Sequence, residues 1–185
     1  MLVVANDAEA VEADLAAGRL ACPGCDGPLA RHGWARRRVL RTLGDDRELR
    51  PRRGWCARCE AAHVLLPGWS VPRRRDAAEV IVAALLAKAA GAGHRAIAVA
   101  LDRPAGTVRG WLRRAAARAE ATRAVATSWV HALDPCAAPI EPAGSLLADA
   151  IEALGVALAS AVRRFGPQHS CAVIAVTAGL LSPDG

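Results

Sequence analysis

Four cysteines are the residues of this sequence best suited to carry chemistry, because they form two C-x-x-C pairs. Cys22 and Cys25 make the first pair, and Cys56 and Cys59 make the second after thirty intervening residues. The C-x-x-C spacing lets two sulfurs of one turn face one ion, and four thiolates satisfy a closed tetrahedral Zn²⁺ site. The sequence therefore predicts that these four cysteines bind one Zn²⁺.

Two other interpretations of the cysteine pairs remain open. His32 and His63 lie in the same stretch and are alternative ligands, although four cysteines already complete a site. A redox role is less well supported, because no thioredoxin-like βαβ pattern surrounds either pair. Cys136 and Cys171 are not paired by spacing and are expected to be inert small residues.

The segments between and after the cysteine pairs carry strand and hairpin signals. They are short, partly apolar and interrupted by turn residues. The expected strands cover residues 29–34, 37–43, 48–55 and 63–66. Together with the cysteine pairs they predict a zinc ribbon over residues 20–72. Its core is too small to fold alone, so metal binding would supply folding free energy.

Residues 94–114 contain the second informative pattern. Apolar residues recur at helical spacing on both sides of a break at residues 102–104. They are Ile97, Ala98 and Leu101 before the break, and Val108, Trp111 and Leu112 after it. Two short helices joined by a tight turn predict a helix-turn-helix. Asp102 can adopt the left-handed turn conformation, and Pro104 fits the first position of the second helix.

A further helix is expected to precede this motif. Asp76 and Glu79 form a capping box that opens it, and Gly91 and Gly93 are expected to end it. Three helices over residues 73–123 then make a helix-turn-helix domain. The plain alternative is an ordinary helical hairpin in an alanine-rich protein.

The charge distribution points to an anionic partner. The 185 residues have a formal net charge of +6. Residues 31–75 hold thirteen arginines and four acidic residues, a net of +9, whereas residues 1–30 and 124–185 are net negative. Segregated basic charge of this kind is typical of nucleic-acid binding. A solvated, arginine-rich surface without a partner is the alternative.

We expect double-stranded DNA to contact both modules. Arginines of the ribbon would meet phosphates, and the side of the second motif helix opposite its apolar stripe would face a groove. The predicted DNA-binding residues are Arg36, Arg37, Arg38, Arg52, Arg53, Arg95, Arg103, Ala105, Gly106, Thr107, Arg109, Arg113 and Arg114.

The two ends of the chain carry weaker signals. Asn6 and Glu9 predict an accessory helix within residues 1–19, and prolines mark a linker over residues 124–144. Ser145 can cap a helix running to about Phe165, and residues 168–181 could form a second helix. This C-terminal helical hairpin, residues 145–185, is expected to support a homodimer or to pack back on the core.

The expected fold class is α+β and mostly α. It comprises a small β zinc ribbon, a three-helix helix-turn-helix domain and a C-terminal helical hairpin. The acidic N-terminus lacks a signal-peptide pattern, and the longest apolar run, residues 171–181, is too short to span a bilayer. A cytoplasmic protein without membrane contact is therefore expected.

This layout resembles the zinc-ribbon/helix-turn-helix accessory proteins of bacterial insertion sequences, such as those of the IS1 type. The likeness rests on Cys22-Pro23-x-Cys25, on Cys56 and Cys59, and on residues 97–112. It implies binding to element ends or to a promoter. The protein would then be a transcriptional regulator or a transposition accessory with a transposase or integrase partner.

Two other function classes compete with DNA binding. A protein-interaction adaptor would dock through the ribbon and oligomerise through its C-terminal helices. A transposase or nuclease subunit would gather carboxylates around metal ions. The candidate carboxylates lie on a proline-rich linker and a helix, and no strand pattern is present to hold them together. They are Asp134, Glu141, Asp149 and Glu152. We therefore expect no enzymatic activity.

Overall fold

The computed structural model describes residues 1–166, and the chain divides into two compact units, Met1–Ala77 and Ala78–Gly185. Its class is α+β with helix predominating, as expected. The first unit contains β1 (Leu2–Val4), α1 (Ala8–Ala16), β2 (Leu29–Trp34), β3 (Arg38–Leu40), β4 (Arg47–Leu49), β5 (Arg52–Cys56) and β6 (Ala61–Pro67). The described part of the second contains α2 (Ala78–Ala89), α3 (His94–Ala100), α4 (Ala105–Leu133) and α5 (Leu146–Phe165).

The strands of the first unit form a four-stranded sheet in the order β1-β6-β5-β2 and a separate β3-β4 hairpin. β5 is antiparallel to both β2 and β6, whereas β1 runs parallel to β6. The predicted segment 48–55 is divided in two at Pro51, which has no N–H to donate to a ladder. β1 carries no strand prediction.

A small apolar core lies between α1 and the four-stranded sheet. Val11 and Leu15 of α1 are buried in one cluster with Leu29 and Leu65 of the sheet. The helix begins one residue later than expected from Asn6, because Asp7 is its N-cap and its Oδ1 accepts a hydrogen bond from the Glu9 N–H at 2.9 Å. The core joins α1 to the sheet within the first unit.

The turns of the second unit differ from the predictions at two positions. Gly91 has a φ of +93° and follows α2 as expected, but Gly93 is extended and is the N-cap of α3. Asp102 does take the left-handed conformation, with a φ of +50°. Pro104 is the N-cap of α4 rather than its first helical residue, because its ψ of 132° is extended. Helix α4 therefore begins at Ala105.

Helix α4 is longer than the motif helix that the sequence suggests. It includes residues 124–133, which the sequence pattern assigns to the start of the linker. No glycine or proline interrupts the sequence between Gly110 and Pro135, so nothing breaks the helix earlier. None of the described helices combines the length and apolarity required to cross a membrane.

Helix α5 packs on α4 through small side chains. Ser145 caps it as predicted, its Oγ accepting from the Ala148 N–H at 3.2 Å. The buried face consists mainly of alanines, among them Ala153 and Ala157, whereas Leu146 is 58% exposed. Leu154 is also buried, so the packing surface combines one large apolar side chain with several small ones. The second predicted C-terminal helix, residues 168–181, lies outside the described residues.

Enlarging an alanine at this contact should destabilise the second unit. Ala157 is fully buried, so Ala157→Leu inserts three carbon atoms where no space exists. We expect a loss of about 1–3 kcal/mol in the free energy of unfolding, measured by denaturant titration. Ala159→Leu, at an exposed position of the same helix, is the matched control and should have little effect. Equal losses in both variants would contradict close packing.

Candidate metal centre

Strand register brings the two cysteine pairs to one end of the four-stranded sheet. Leu29, at the start of β2, pairs with Cys56, at the end of β5, and Cys56 pairs with Ala61 of β6. The first C-x-x-C pair immediately precedes β2, and the second forms the turn between β5 and β6. Both pairs must therefore meet at the same edge.

The four sulfurs are close enough to share one ion. The Sγ atoms of all four cysteines lie within 4.8 Å of one another. The Sγ atoms of Cys25 and Cys56 are 3.5 Å apart, and those of Cys22 and Cys59 are 3.9 Å apart. Cys22 and Cys56 are fully buried, whereas Cys59 is exposed. These four cysteines could bind a metal ion at the rim of the core.

The backbone of both cysteine turns has the same unusual feature. The residue after each second cysteine, Asp26 or Glu60, has a left-handed φ, of 58° and 51° respectively. Glycine commonly occupies this position because side chains disfavour the conformation. The turns keep their geometry without glycine, and the Gly24 N–H lies 3.5 Å from the Cys22 sulfur.

Two of the four thiols have pKa values shifted in opposite directions. The backbone N–H of Cys59 lowers the pKa of Cys56 to about 7. The pKa of Cys59 is raised to about 12, chiefly by its hydrogen bond with the neighbouring Cys25 thiol. Crowded thiols resist the loss of successive protons, and a bound cation removes this resistance. The cluster therefore suits a cation better than four free thiols.

The two candidate histidine ligands, His63 and His32, have different neighbours. His63 Nε2 lies 3.4 Å from the Cys22 sulfur, within reach of a hydrogen bond to a ligand. The His32 ring packs against Trp55, with 5.1 Å between ring centroids. His63 is thus a neighbour of the four-cysteine site, and outer-shell partners of this kind orient the ligands.

The predicted phosphate-binding arginines of the first unit do not behave alike. Arg52 forms an ion pair with Glu12, donates to the Gly33 carbonyl at 2.7 Å and lies over the Trp34 ring. Its guanidinium is engaged in contacts within the first unit, and its predicted phosphate contact stays a prediction. Arg36 and Arg37 are exposed, while Arg38 and Arg53 are half-buried.

The predicted contact residues at the start of α4 lie mostly on its exposed side. Ala105, Gly106, Arg109 and Arg113 are exposed, and Thr107 and Arg114 are partly so. The opposite side of the helix is buried through Val108, Trp111 and Leu112.

The remaining two predicted DNA contacts, Arg95 and Arg103, differ in their exposure and hydrogen bonding. Arg95 of α3 is exposed. Arg103 instead donates hydrogen bonds to the carbonyls of Leu101 and Asp102, at 3.0 and 2.9 Å. Arg103 therefore holds the turn between α3 and α4.

Two of the candidate catalytic carboxylates have partners within the fold. Asp134 pairs with Arg163 at 3.3 Å, and Asp149 accepts a hydrogen bond from the Ala143 N–H at 2.6 Å. Within residues 1–166, the four cysteines are the group of three or more ligating side chains that lies close enough to hold a metal.

The predicted DNA-binding residues do not include Arg41 or residues 73–75, although residues 73–75 are visible in the sequence as a run of three arginines.

The comparisons with known proteins concern the middle of the chain. Residues 22–104 match DUF6431, a family described as a domain of unknown function. The DUF6431 match begins at the first cysteine of the cluster and ends at the residue before α4. It contains all four cysteines and both runs of three arginines. No curated protein and no solved structure matches the chain.

Proposed function

We propose that this protein binds double-stranded DNA through a four-cysteine zinc ribbon and a helix-turn-helix. It would act as a transcriptional regulator or as a transposition accessory. The observation that carries the proposal is the start of α4, where an exposed side with two arginines lies opposite a buried apolar stripe. A helix of this kind after a tight turn is suited to a DNA major groove.

The geometry of α3 and α4 supports this assignment. Residues 101–104 separate the helices, and the Arg103 N–H donates to the Ala98 carbonyl at 2.9 Å, which closes the turn. Among the described residues no side chain caps the first turn of α4. Exposed N–H groups at a helix N-terminus favour phosphate, and the small residues Ala105 and Gly106 permit close approach. Arg109 and Arg113 then lie one and two turns further along.

The donor set of the metal centre supports Zn²⁺. Four thiolates in two C-x-x-C turns form the usual structural zinc site, with metal–sulfur bonds of about 2.3 Å. A tetrahedron with such bonds has sulfur–sulfur edges of about 3.8 Å. The Cys25–Cys56 and Cys22–Cys59 sulfur distances, 3.5 and 3.9 Å, bracket this value. The zinc would stabilise the four-stranded sheet of the first unit, at whose end the cysteines lie.

The protein partners follow from the same proposal. A helix-turn-helix regulator commonly binds two half-sites as a homodimer, and the C-terminal helices would supply the dimer contact. A transposition accessory would instead meet a transposase or integrase. Light scattering and co-purification distinguish these two assemblies.

Arg109 is expected to contribute to sequence specificity. Arginine can donate two hydrogen bonds to O6 and N7 of guanine, so Arg109→Ala should weaken binding to the preferred site by about 1–3 kcal/mol. Binding to random DNA should change much less. The preferred site comes first from selection of bound sequences from random DNA, with and without chelator. Fluorescence anisotropy at several salt concentrations then measures both affinities.

Arg123→Ala is the matched control for this experiment. Arg123 lies on the same helix, about 21 Å from Arg109 at 1.5 Å per residue, and is paired with Glu120. Its replacement removes the same charge and should leave discrimination between the two DNAs intact. If Arg109→Ala weakened both DNAs equally, α4 would contact phosphates without reading bases. If the wild-type protein showed no salt-sensitive DNA binding, the adaptor alternative would replace the proposal.

A further inference from the structure

Two runs of three arginines, 34 residues apart in the sequence, line one concave pocket of the first unit. The pocket has a volume of about 770 Å³ and is lined by residues 36–38 and 73–75 together with Arg41. We call it the arginine pocket. Asp46 also lines it, Arg37 pairs with Glu48, and Arg41 pairs with Asp76. Seven of the ten lining residues are arginines, and one, Asp46, is acidic.

The backbone of Arg41 explains why the two runs meet. Its N–H donates to the Arg75 carbonyl at 2.7 Å, and its carbonyl accepts from the Ala77 N–H at 2.8 Å. This is an isolated parallel bridge between Arg41 and Asp76. The segments that precede Arg41 and Asp76 therefore run parallel to each other. Residues 36–38 lie in the first segment, and residues 73–75 lie in the second.

Arg38 has an unmet requirement for an anion. Its Nε and Nη2 atoms have no solvent-accessible surface and no hydrogen-bond partner within the described structure. Burial lowers the pKa of this guanidinium. Buried charged donors are normally paired, because an unpaired one loses its hydration without compensation. Most of the charged residues that line the pocket with Arg38 are arginines, and neither of these two atoms reaches an acceptor in the fold.

Arg73 occupies a backbone position that suits glycine better. Its φ is +59°, and the Arg74 N–H donates to the Val71 carbonyl at 3.2 Å across a four-residue turn. Pro72 precedes it, which is the pattern of a type II turn with glycine preferred at the third position. The turn therefore places an arginine of the pocket at a conformationally strained position where glycine would cost less.

We propose that the arginine pocket binds a ligand with two or more closely spaced phosphate groups. Guanidinium groups donate paired hydrogen bonds to phosphate oxygens, and several phosphates would balance the excess positive charge. Such phosphates belong either to the backbone of a nucleic acid or to a free polyphosphate. The proposal extends the phosphate contacts expected of residues 36–38, and it does not depend on whether α4 binds DNA.

Inorganic tripolyphosphate is the probe that tests the pocket directly. Calorimetric titration of the full chain at fixed ionic strength should show saturable binding, and the ligand should raise the thermal midpoint. Arg38→Met should weaken binding at least tenfold and abolish the shift. Without ligand the same variant should be as stable as the wild type or more so, because an apolar group replaces a buried charge without a partner.

Two further variants separate a binding role from a structural role. Arg19→Met removes an arginine of the same unit that lies outside the pocket and pairs with Asp14 at 2.7 Å, and it should keep wild-type affinity for tripolyphosphate. Arg73→Gly removes a pocket arginine while accommodating the left-handed φ, so it should fold normally and bind several-fold more weakly. If tripolyphosphate failed to bind the wild type, or bound Arg38→Met and Arg73→Gly as tightly, the proposal would be overturned.

A competition experiment identifies the source of the phosphates. If tripolyphosphate displaces a fluorescent DNA duplex from the wild type but not from Arg38→Met, the ligand is a nucleic-acid backbone. If duplex and tripolyphosphate bind together, the ligand is a free polyphosphate. A protein that binds tripolyphosphate but no DNA would refute the proposed function alone and leave the phosphate pocket established.

Discussion

Cys25→Ser should reduce bound zinc from one ion per chain to almost none and unfold the first unit. Cys22 and Cys56 belong to the same buried cluster as Leu15, Leu29 and Leu65, so the metal centre and this core form together. Structural zinc sites contribute apparent binding free energies of about 10–16 kcal/mol, more than a small sheet can replace. The second unit has its own buried residues and should keep its helices.

Elemental analysis, circular dichroism and limited proteolysis measure these effects on the full chain. Four of the five described helices lie in the second unit, so most of the helical signal should survive while residues 20–68 become cleavable. Chelation of the wild type should reproduce the variant. Cys136→Ser is the matched control, because Cys136 is exposed and outside the cluster, and it should retain full zinc. A zinc-free wild type, or a protease-resistant Cys25→Ser variant, would contradict the site.

The four-cysteine cluster is the part of the structure best predicted from the sequence. Two C-x-x-C pairs define local turns, and the strand signals around residues 29–34 and 63–66 indicate a small sheet between and after them. β1 could not be predicted from the sequence, because its three residues form a strand only through their pairing with β6, in which Leu2 lies opposite Leu65. A strand this short carries no periodicity, so its pairing depends on contacts distant in sequence.

Charge runs identified the basic region but not the use of each arginine. Arg52 and Arg38 look equivalent in the sequence, yet Arg52 meets Glu12, forty residues away, whereas Arg38 has buried donors with no acceptor. Acceptors that come from distant segments cannot be read from a local pattern. The arginine pocket could not be predicted from the sequence for the same reason. Residues 36–38 and 73–75 come together through the bridge between Arg41 and Asp76, which are distant in sequence.

The helical part shows a different limit of sequence patterns. The helical spacing of large apolar residues correctly predicts a buried face formed by Val108, Trp111 and Leu112. In α5 the buried face is mostly alanine, together with Leu154. Alanine is a common surface residue of helices, so its pattern gives little warning that two helices will pack closely on it.

Trp111→Ala should cause the largest loss of stability in the second unit. Trp111 is the largest of the fully buried side chains, with 1% of its surface exposed. Truncation of a buried tryptophan costs about 3–5 kcal/mol, because it removes buried apolar surface and leaves a cavity. Total stabilities of about 5–15 kcal/mol are usual for domains, so the variant should be only marginally folded. Thermal and denaturant unfolding followed by circular dichroism measure the loss.

The control for Trp111→Ala is Leu86→Ala, which truncates an apolar side chain that is 52% exposed on α2 of the same unit. An exposed position tolerates truncation, and its effect should stay within about 0.5 kcal/mol. Because Trp111 lies on the face opposite Arg109, its truncation should weaken DNA binding only through the fraction of unfolded protein. At temperatures where the Trp111→Ala variant remains folded, discrimination between cognate and random DNA should be that of the wild type. A folded variant that had lost discrimination would show that Trp111 positions the groove-facing side and is more than a core residue.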